Sequence, residues 1–282
     1  MEKKTCLITG CNGGIGKQVA IQLAKLNFNI IMLVRDSDKS KKTFREVKGL
    51  SSNPDIRMFY VDLASQESII TAAENIKKEY QQIDILINNA GVVKRKYDRS
   101  AEGFEMTFAV NYLAPFLLTN LLLPLVEKSS HGRIINLTSE LYKKGKATID
   151  NTSSDKKFNG DIAYANSKML IVLFTKELAR RLQNKNITVN CVHPGVVATD
   201  SFREYPKWFS TFLNLLISKP EVGAKPVVYL ATSPDVQNRS GDYFKKSKAT
   251  PTIDIANDKK IAEKIWKETE SIFNISSRTK QV

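Results

Sequence analysis

Tyr164 and Lys168 stand four residues apart in a strongly helical stretch, Tyr164-Ala165-Asn166-Ser167-Lys168. At that spacing a phenol and an ammonium share one helix face. A free tyrosine titrates near ~10 and exchanges protons poorly at neutral pH, whereas a neighbouring lysine cation favours phenolate and so equips the phenol for general acid/base work. The same spacing also describes an ordinary, partly exposed helix face. What separates the two readings is the set of elements that must hold the pair.

The first of these elements lies at the N-terminus. The apolar run Cys6-Leu7-Ile8 leads into Thr9-Gly10-Cys11-Asn12-Gly13-Gly14-Ile15-Gly16, and a helix-like pattern follows. Strand, glycine turn and helix come in the order that a pyrophosphate site requires: glycines let the backbone bend and approach, and the helix N-terminus offers free N–H groups at a positive dipole end. Gly10, Gly14 and Gly16, with Asn12 and Ile15 between them, are the candidate cofactor residues here. Their spacing, three residues and then one, has a wider first gap than the one-then-two spacing of the usual dinucleotide fingerprint. A glycine-rich turn without a ligand is the bland alternative.

Further motifs follow in chain order. Asp62-Leu63 comes after the strand Ile56 to Val61, Asn88-Asn89-Ala90-Gly91 after the strand Asp84 to Ile87, and Asn111 falls in a helix. Ser139 ends the strand Arg133 to Thr138, and Pro194-Gly195 ends Ile187 to His193. In this order the chain resembles the short-chain dehydrogenase/reductase family from about residue 4 to about residue 270. Within that family it looks most like the retinol dehydrogenase branch, on Leu173 to Leu182, His193-Pro194-Gly195-Val196-Val197 and Gly241-Asp242-Tyr243-Phe244.

The resemblance implies a single-domain Rossmann-type, doubly wound α/β fold with a parallel sheet of about seven strands. It implies an oxidoreductase that interconverts a lipophilic alcohol with its aldehyde or ketone, a retinoid among the candidates. Tyr164 is then the proton donor and acceptor. Lys168 lowers the Tyr164 pKa and contacts the nicotinamide ribose, Ser139 hydrogen-bonds the substrate oxygen, and Asn111 holds a relay water through its main-chain carbonyl. Asn89, Ala90, Gly91, Pro194, Gly195, Val197 and Thr199 join the cofactor site on the same ground, as do Asp62 and Leu63 near the adenine. For Asp62 a cap on the helix that begins at Ser65 is the competing account. A cofactor-bound sensor or scaffold of this fold with little turnover is the competing function.

The second strand, Asn29 to Val34, ends in Arg35-Asp36. A carboxylate at this strand end prefers the bare 2′-hydroxyl of NAD, and a guanidinium accommodates the 2′-phosphate of NADP. Arg35 occupies the position at which the resembling branch keeps its NADP-selecting arginine, so NADP(H) is favoured over NAD(H), with Lys17 adding positive charge. The alternative is that Arg35 only pairs with Asp36 or Asp62. In the helix from about Phe104 to Glu127, Pro115 follows Asn111 by four residues and removes the N–H that the Asn111 carbonyl needs, which predicts a kink.

Composition bounds the rest. The 282 residues contain no low-complexity linker or solenoid repeat, and strand-like and helix-like segments alternate to about residue 195, so one domain, 1–282, is expected. Three cysteines offer neither a disulfide framework nor a metal cage; no metal is expected. The chain enters its first strand at once, without an apolar leader, which points to a cytoplasmic protein, with a peripheral membrane contact left open. Its net charge of +14 fits a solvated basic surface or attraction to anionic lipid or to the cofactor phosphates, and no nucleic-acid-binding module is visible. Residues of about 201–218 carry bulky apolar side chains around a narrow polar stripe and read as a substrate lid, with a core helix as the alternative. About 271–282 reads as a disordered tail. A homo-oligomer stays open as a partner state.

Overall fold

The structure, a computed structural model, describes residues 3–149, 158–195 and 219–273. Its centre is one sheet of eight strands in the order β3-β2-β1-β4-β5-β6-β7-β8. The strands are β1 Thr5–Thr9, β2 Asn29–Val34, β3 Ile56–Tyr60, β4 Ile85–Asn88, β5 Gly132–Leu137, β6 Ile187–His193, β7 Tyr243–Lys245 and β8 Lys248–Ala249. All pairings are parallel except the closing β7–β8 hairpin. The seven parallel strands match the sequence expectation, and the eighth is a two-residue edge strand too short to announce itself.

Apolar runs such as Cys6-Leu7-Ile8 become central strands because both of their faces are covered. Leu7, Ile31, Leu86 and Ile134 point into one core. Cys6, Ile8, Met32 and Ile87 point into the other. Helices α1 Gly14–Lys25, α2 Asp38–Ser51 and α6 Pro220–Thr232 supply the second core. Helices α3 Gln66–Glu79, α4 Met106–Val126 and α5 Gly160–Arg181 supply the first. A short α7, Asp254–Asn257, and α8, Lys259–Phe273, lie over α4 and α5. Phe273 is buried, so the helix runs past the expected start of the tail at about 271, and residues 274–282 lie outside the described chain.

Where the sequence predicts a kink, α4 changes its hydrogen-bond pattern. Residues Ala109–Leu113 make a π-helical turn in which the Ala114 N–H donates to the Ala109 carbonyl, five residues back. Pro115 then falls in the first turn of the following α-helical segment, where its missing N–H costs least. By length and composition α4 could cross a bilayer, but Phe116, Leu117 and Leu118 are buried and mark it as a core helix.

Strand order reverses between β1 and β4. The chain winds outward to β3 on one side and to β8 on the other, which opens a crevice at the carboxyl ends of β1 and β4.

Candidate active site

At that crevice two loops are clasped together. The Asn89 and Ala90 N–H groups both donate to Thr9 Oγ1, each at 3.0 Å, and Asn89 Nδ2 donates to the carbonyls of Thr9 (2.7 Å) and Gly10 (3.2 Å). Gly10 takes φ +65°, and a Cβ there would lie 2.8 Å from Ala90 Cα. A Cβ on Gly16 would drive into the Asn89 side-chain amide and lie 2.7 Å from the Gly10 oxygen. Two of the motif glycines therefore serve the contact between the loops as well as the space a ligand would use.

The start of α1 is built differently from those of α2, α3 and α5. Those three are capped by the side chains of Ser37, Ser65 and Asn159. Helix α1 begins at Gly13 with no side-chain cap and no acidic residue in its first turn. Its N–H groups and positive dipole end face the crevice, which fits a cofactor pyrophosphate. Ile15 is buried, so only its main chain can serve there.

Asn12 turns toward the β2–α2 connection. Its Nδ2 donates to Ser40 Oγ at 3.1 Å, and Ser40 Oγ donates to the Arg35 carbonyl at 2.6 Å, fixing the backbone that carries the exposed Arg35 guanidinium. Asp36 pairs with Lys41 at 3.2 Å, and among the described residues Arg35 has no ion-pair partner. Lys17, expected to add charge here, is instead held by Glu46 of α2. Asp62 is exposed. Its Oδ1 accepts from the Ala64 N–H at 2.9 Å, and Ser65 itself caps α3; Leu63 packs half-buried against the core.

Asn111 and Lys168, two of the residues expected to be catalytic, meet beyond Gly91, where a Cβ would lie 3.3 Å from Asn111 Oδ1 and 3.5 Å from Lys168 Nζ. Asn111 is buried, and its side chain is a clamp: Oδ1 accepts from the Val92 N–H at 2.8 Å, while Nδ2 donates to the Val92 carbonyl at 2.9 Å and to Ser167 Oγ at 3.1 Å. Lys168 is 4% exposed, and its ammonium donates to the Leu137 carbonyl at 3.0 Å and lies 5.5 Å from the Tyr164 ring centroid. Burial lowers the Lys168 pKa to about 8, so the group is still a cation at pH 7. Tyr164 is half-buried on the same helix. Ser139 follows β5, half-buried, and its Oγ accepts from the Leu141 N–H at 3.3 Å.

Pro194 and Gly195 close β6 at the same edge of the sheet, with Gly195 at φ +95°. Val197, Thr199 and the expected lid at about 201–218 lie outside the described residues. No cluster that could hold a metal occurs among the described residues.

The segment Lys94 to Asp98, in which the sequence marks Lys94-Arg95-Lys96 only as a basic cluster, lines an open surface pocket of about 400 Å³. It leans on the start of α5 through Arg95–Asp161 (3.2 Å) and the Tyr97–Phe158 ring contact (5.6 Å), and Gly160 is tight against the Lys94 carbonyl. Gly160, the first residue of α5, is the local signal for this contact. Sequence reasoning missed Ser167, inside the Tyr–Lys motif; it joins Asn111 to the Tyr164 carbonyl.

A doubly wound sheet, a glycine loop at its switch point and a tyrosine–lysine pair beside it define a nucleotide-dependent α/β oxidoreductase. A family model described as short chain dehydrogenase matches residues 4–209. The chain belongs to the short-chain dehydrogenase/reductase family and is an NAD(P)-dependent oxidoreductase acting on CH–OH groups. It is 40% identical to retinol dehydrogenase 13 of Homo sapiens, over 97% of this chain and 86% of that protein. It is 37% identical to retinol dehydrogenase 14 of Homo sapiens, over 98% and 88%. Among solved structures, a putative uncharacterized protein from Mycobacterium Paratuberculosis superimposes with a TM-score of 0.75 at 26% identity, covering 95% of this chain and 92% of that one. A putative short chain dehydrogenase from Shigella flexneri, complexed with NADP, does so with a TM-score of 0.70 at 23% identity, covering 88% and 98%.

Proposed function

We propose that the chain uses NADP(H) to interconvert a lipophilic alcohol with its aldehyde or ketone, with retinoids among the candidates. The observation that carries this reading is the buried Lys168 ammonium, 5.5 Å from the Tyr164 ring and close to Gly91 and Asn111. A bound nicotinamide would supply the hydride chemistry at the substrate carbon. Tyr164 exchanges the proton with the substrate oxygen, and the Lys168 cation favours the phenolate form and holds the ribose. Ser139 donates a hydrogen bond to the substrate oxygen. Asn111 holds the relay water by its main-chain carbonyl while its side chain keeps Val92 and Ser167 in place.

NADP(H) is favoured because Arg35 stands exposed at the end of β2 and Asp36 is engaged by Lys41. The uncapped α1 start and the clasped Gly10 and Asn89 loops would hold the pyrophosphate and its neighbours. A lipophilic substrate and a contact with a membrane surface are supported by Leu141 and Ile162, 43% and 52% exposed, each two residues from Ser139 or Tyr164, with exposed Lys143 and Lys144 alongside.

Following NADPH and NADH consumption against retinal, medium-chain aldehydes and a steroid ketone tests the reading. Turnover of a long apolar carbonyl with NADPH preferred is the expected result. Tight cofactor binding without turnover of any of them would establish the sensor alternative.

A further inference from the structure

Glu140 follows Ser139 directly, in the 3-10 turn Glu140–Lys144, and its carboxylate reaches across two neighbouring strands. Its Oε1 accepts from Lys245 Nζ of β7 at 2.8 Å, and its Oε2 lies 3.8 Å from Nε2 of His193, the last residue of β6. His193 and Lys245 are register partners, so one side chain just past β5 bonds to β7 and lies beside the end of β6. Lys143, one turn on, adds its ammonium at 3.8 Å. The Lys245 hydrogen bond keeps the Glu140 carboxyl below its usual range, and burial keeps the His193 imidazole below its own, so at neutral pH the cluster holds a carboxylate, two ammonium groups and a neutral ring.

This arrangement sits between the two halves of the reaction site. Upstream of Ser139, the Thr138 N–H donates to the Val192 carbonyl at 2.9 Å and Thr138 Oγ1 donates to the Lys168 carbonyl at 3.0 Å. Downstream, the Tyr142 N–H returns to the Ser139 carbonyl at 3.0 Å, with the Tyr142 ring buried against Tyr243 at 5.2 Å. Among the described residues Ser139 Oγ has only the long 3.3 Å contact with Leu141, so its placement depends on the main chain on both sides. Past His193 come Pro194 and Gly195 on the cofactor side. A half-exposed ion pair contributes little to stability, which leaves geometry as its larger effect.

We infer that Glu140 is a positioning residue: by bonding Lys245, the register partner of His193, it fixes the strand end that carries Ser139 relative to the Pro194-Gly195 segment, so that the serine hydroxyl meets the substrate oxygen in register with the cofactor. The inference rests on the proposed role of Ser139.

The test compares Glu140→Gln, Glu140→Lys and the charge swap Glu140→Lys/Lys245→Glu in the full chain, reading kcat, NADPH affinity and melting temperature. Glu140→Gln keeps the size of the side chain. It should lower kcat roughly 10-fold, a modest share of what misplacement of a reacting group can cost, with NADPH affinity within two-fold and melting within about 2 °C, a shift worth less than about 1 kcal/mol. The swap should recover several-fold of the turnover lost in Glu140→Lys. The inference is overturned if Glu140→Gln keeps kcat within two-fold, if its activity falls only in step with melting temperature, or if the swap recovers nothing. Ser139→Ala separates the two levels of argument: a large loss there without a Glu140 effect defeats this inference alone, whereas full activity in Ser139→Ala defeats the role of Ser139 and the inference with it.

Discussion

At the residue scale the charge of Lys168 is the point of leverage. Burial lowers its pKa from the ordinary value of 10.5 to about 8, so the folded state gives up its proton more easily than the unfolded chain. Below pH 8 both states are protonated and the folded one bears the full cost of a buried cation; between about 8 and 10.5 that cost is progressively removed, and stability rises with pH. Lys168→Met should therefore stabilise the cofactor-free protein by ~1 to 3 kcal/mol at pH 7 and flatten this alkaline rise, while turnover is lost. Chemical denaturation at pH 7 and pH 10 measures both; an unstable variant would show that the ammonium's bond to Leu137 outweighs its desolvation. Tyr164→Phe removes only the transferable proton, so NADPH titration should look unchanged while turnover drops at least a hundred-fold. Arg35→Ala should weaken NADPH binding by ~1.5 to 3 kcal/mol and leave NADH nearly untouched, the scale of hydrogen bonds to charged groups. Equal losses for the two cofactors would make Arg35 structural.

At the scale of elements, two glycines in helices make opposite predictions. A Cβ on Gly16 in α1 collides with the Asn89 amide and comes within 2.7 Å of the Gly10 carbonyl, so Gly16→Ala must pry the clasped loops apart. Cofactor affinity should fall at least ten-fold, with a lower melting temperature. A Cβ on Gly49 in α2 meets nothing within 4 Å, and its backbone is helical. Gly49→Ala should stabilise the protein by ~0.5 to 1 kcal/mol through reduced chain entropy and better helix propensity, at no cost to cofactor affinity. Calorimetry and NADPH titration on the pair separate a glycine that the site requires from one that it does not.

At the scale of the whole molecule, α8 forms a third layer over α4 and α5. Trp266 packs on Phe116 and Phe174, with ring centroids 4.8 and 5.8 Å apart, and the Arg181 guanidinium lies 4.2 Å above the indole. Trp266→Ala should cost ~3 to 5 kcal/mol and open an aromatic surface between the two helices. Thermal melting reports the first effect, and size-exclusion chromatography reports any self-association that the uncovered face causes. A variant that melts like the wild type would mean that α8 is an appendage, and that the closure of this face lies elsewhere.

The sequence by itself determined the class of fold and the chemistry. Apolar runs buried on both faces wrote the parallel strands, with β2 and β6 falling on the residues read from the sequence, and the glycine loop and the Tyr164–Lys168 spacing are local features that survive any packing. Tertiary structure decided the partners. The family resemblance implies a main-chain acceptor role for Asn111, yet its side chain joins Val92 to Ser167 across 19 and 56 residues of sequence. Lys17 reads as a cofactor cation and is taken by Glu46, 29 residues away. The contacts of Glu140 with Lys245 and His193 leave no trace in the order of residues, because strands neighbouring in the sheet are far apart along the chain. Local spacing fixes which groups share a helix face or a turn, whereas the pairing of distant charges depends on where the crossovers set the strand ends down.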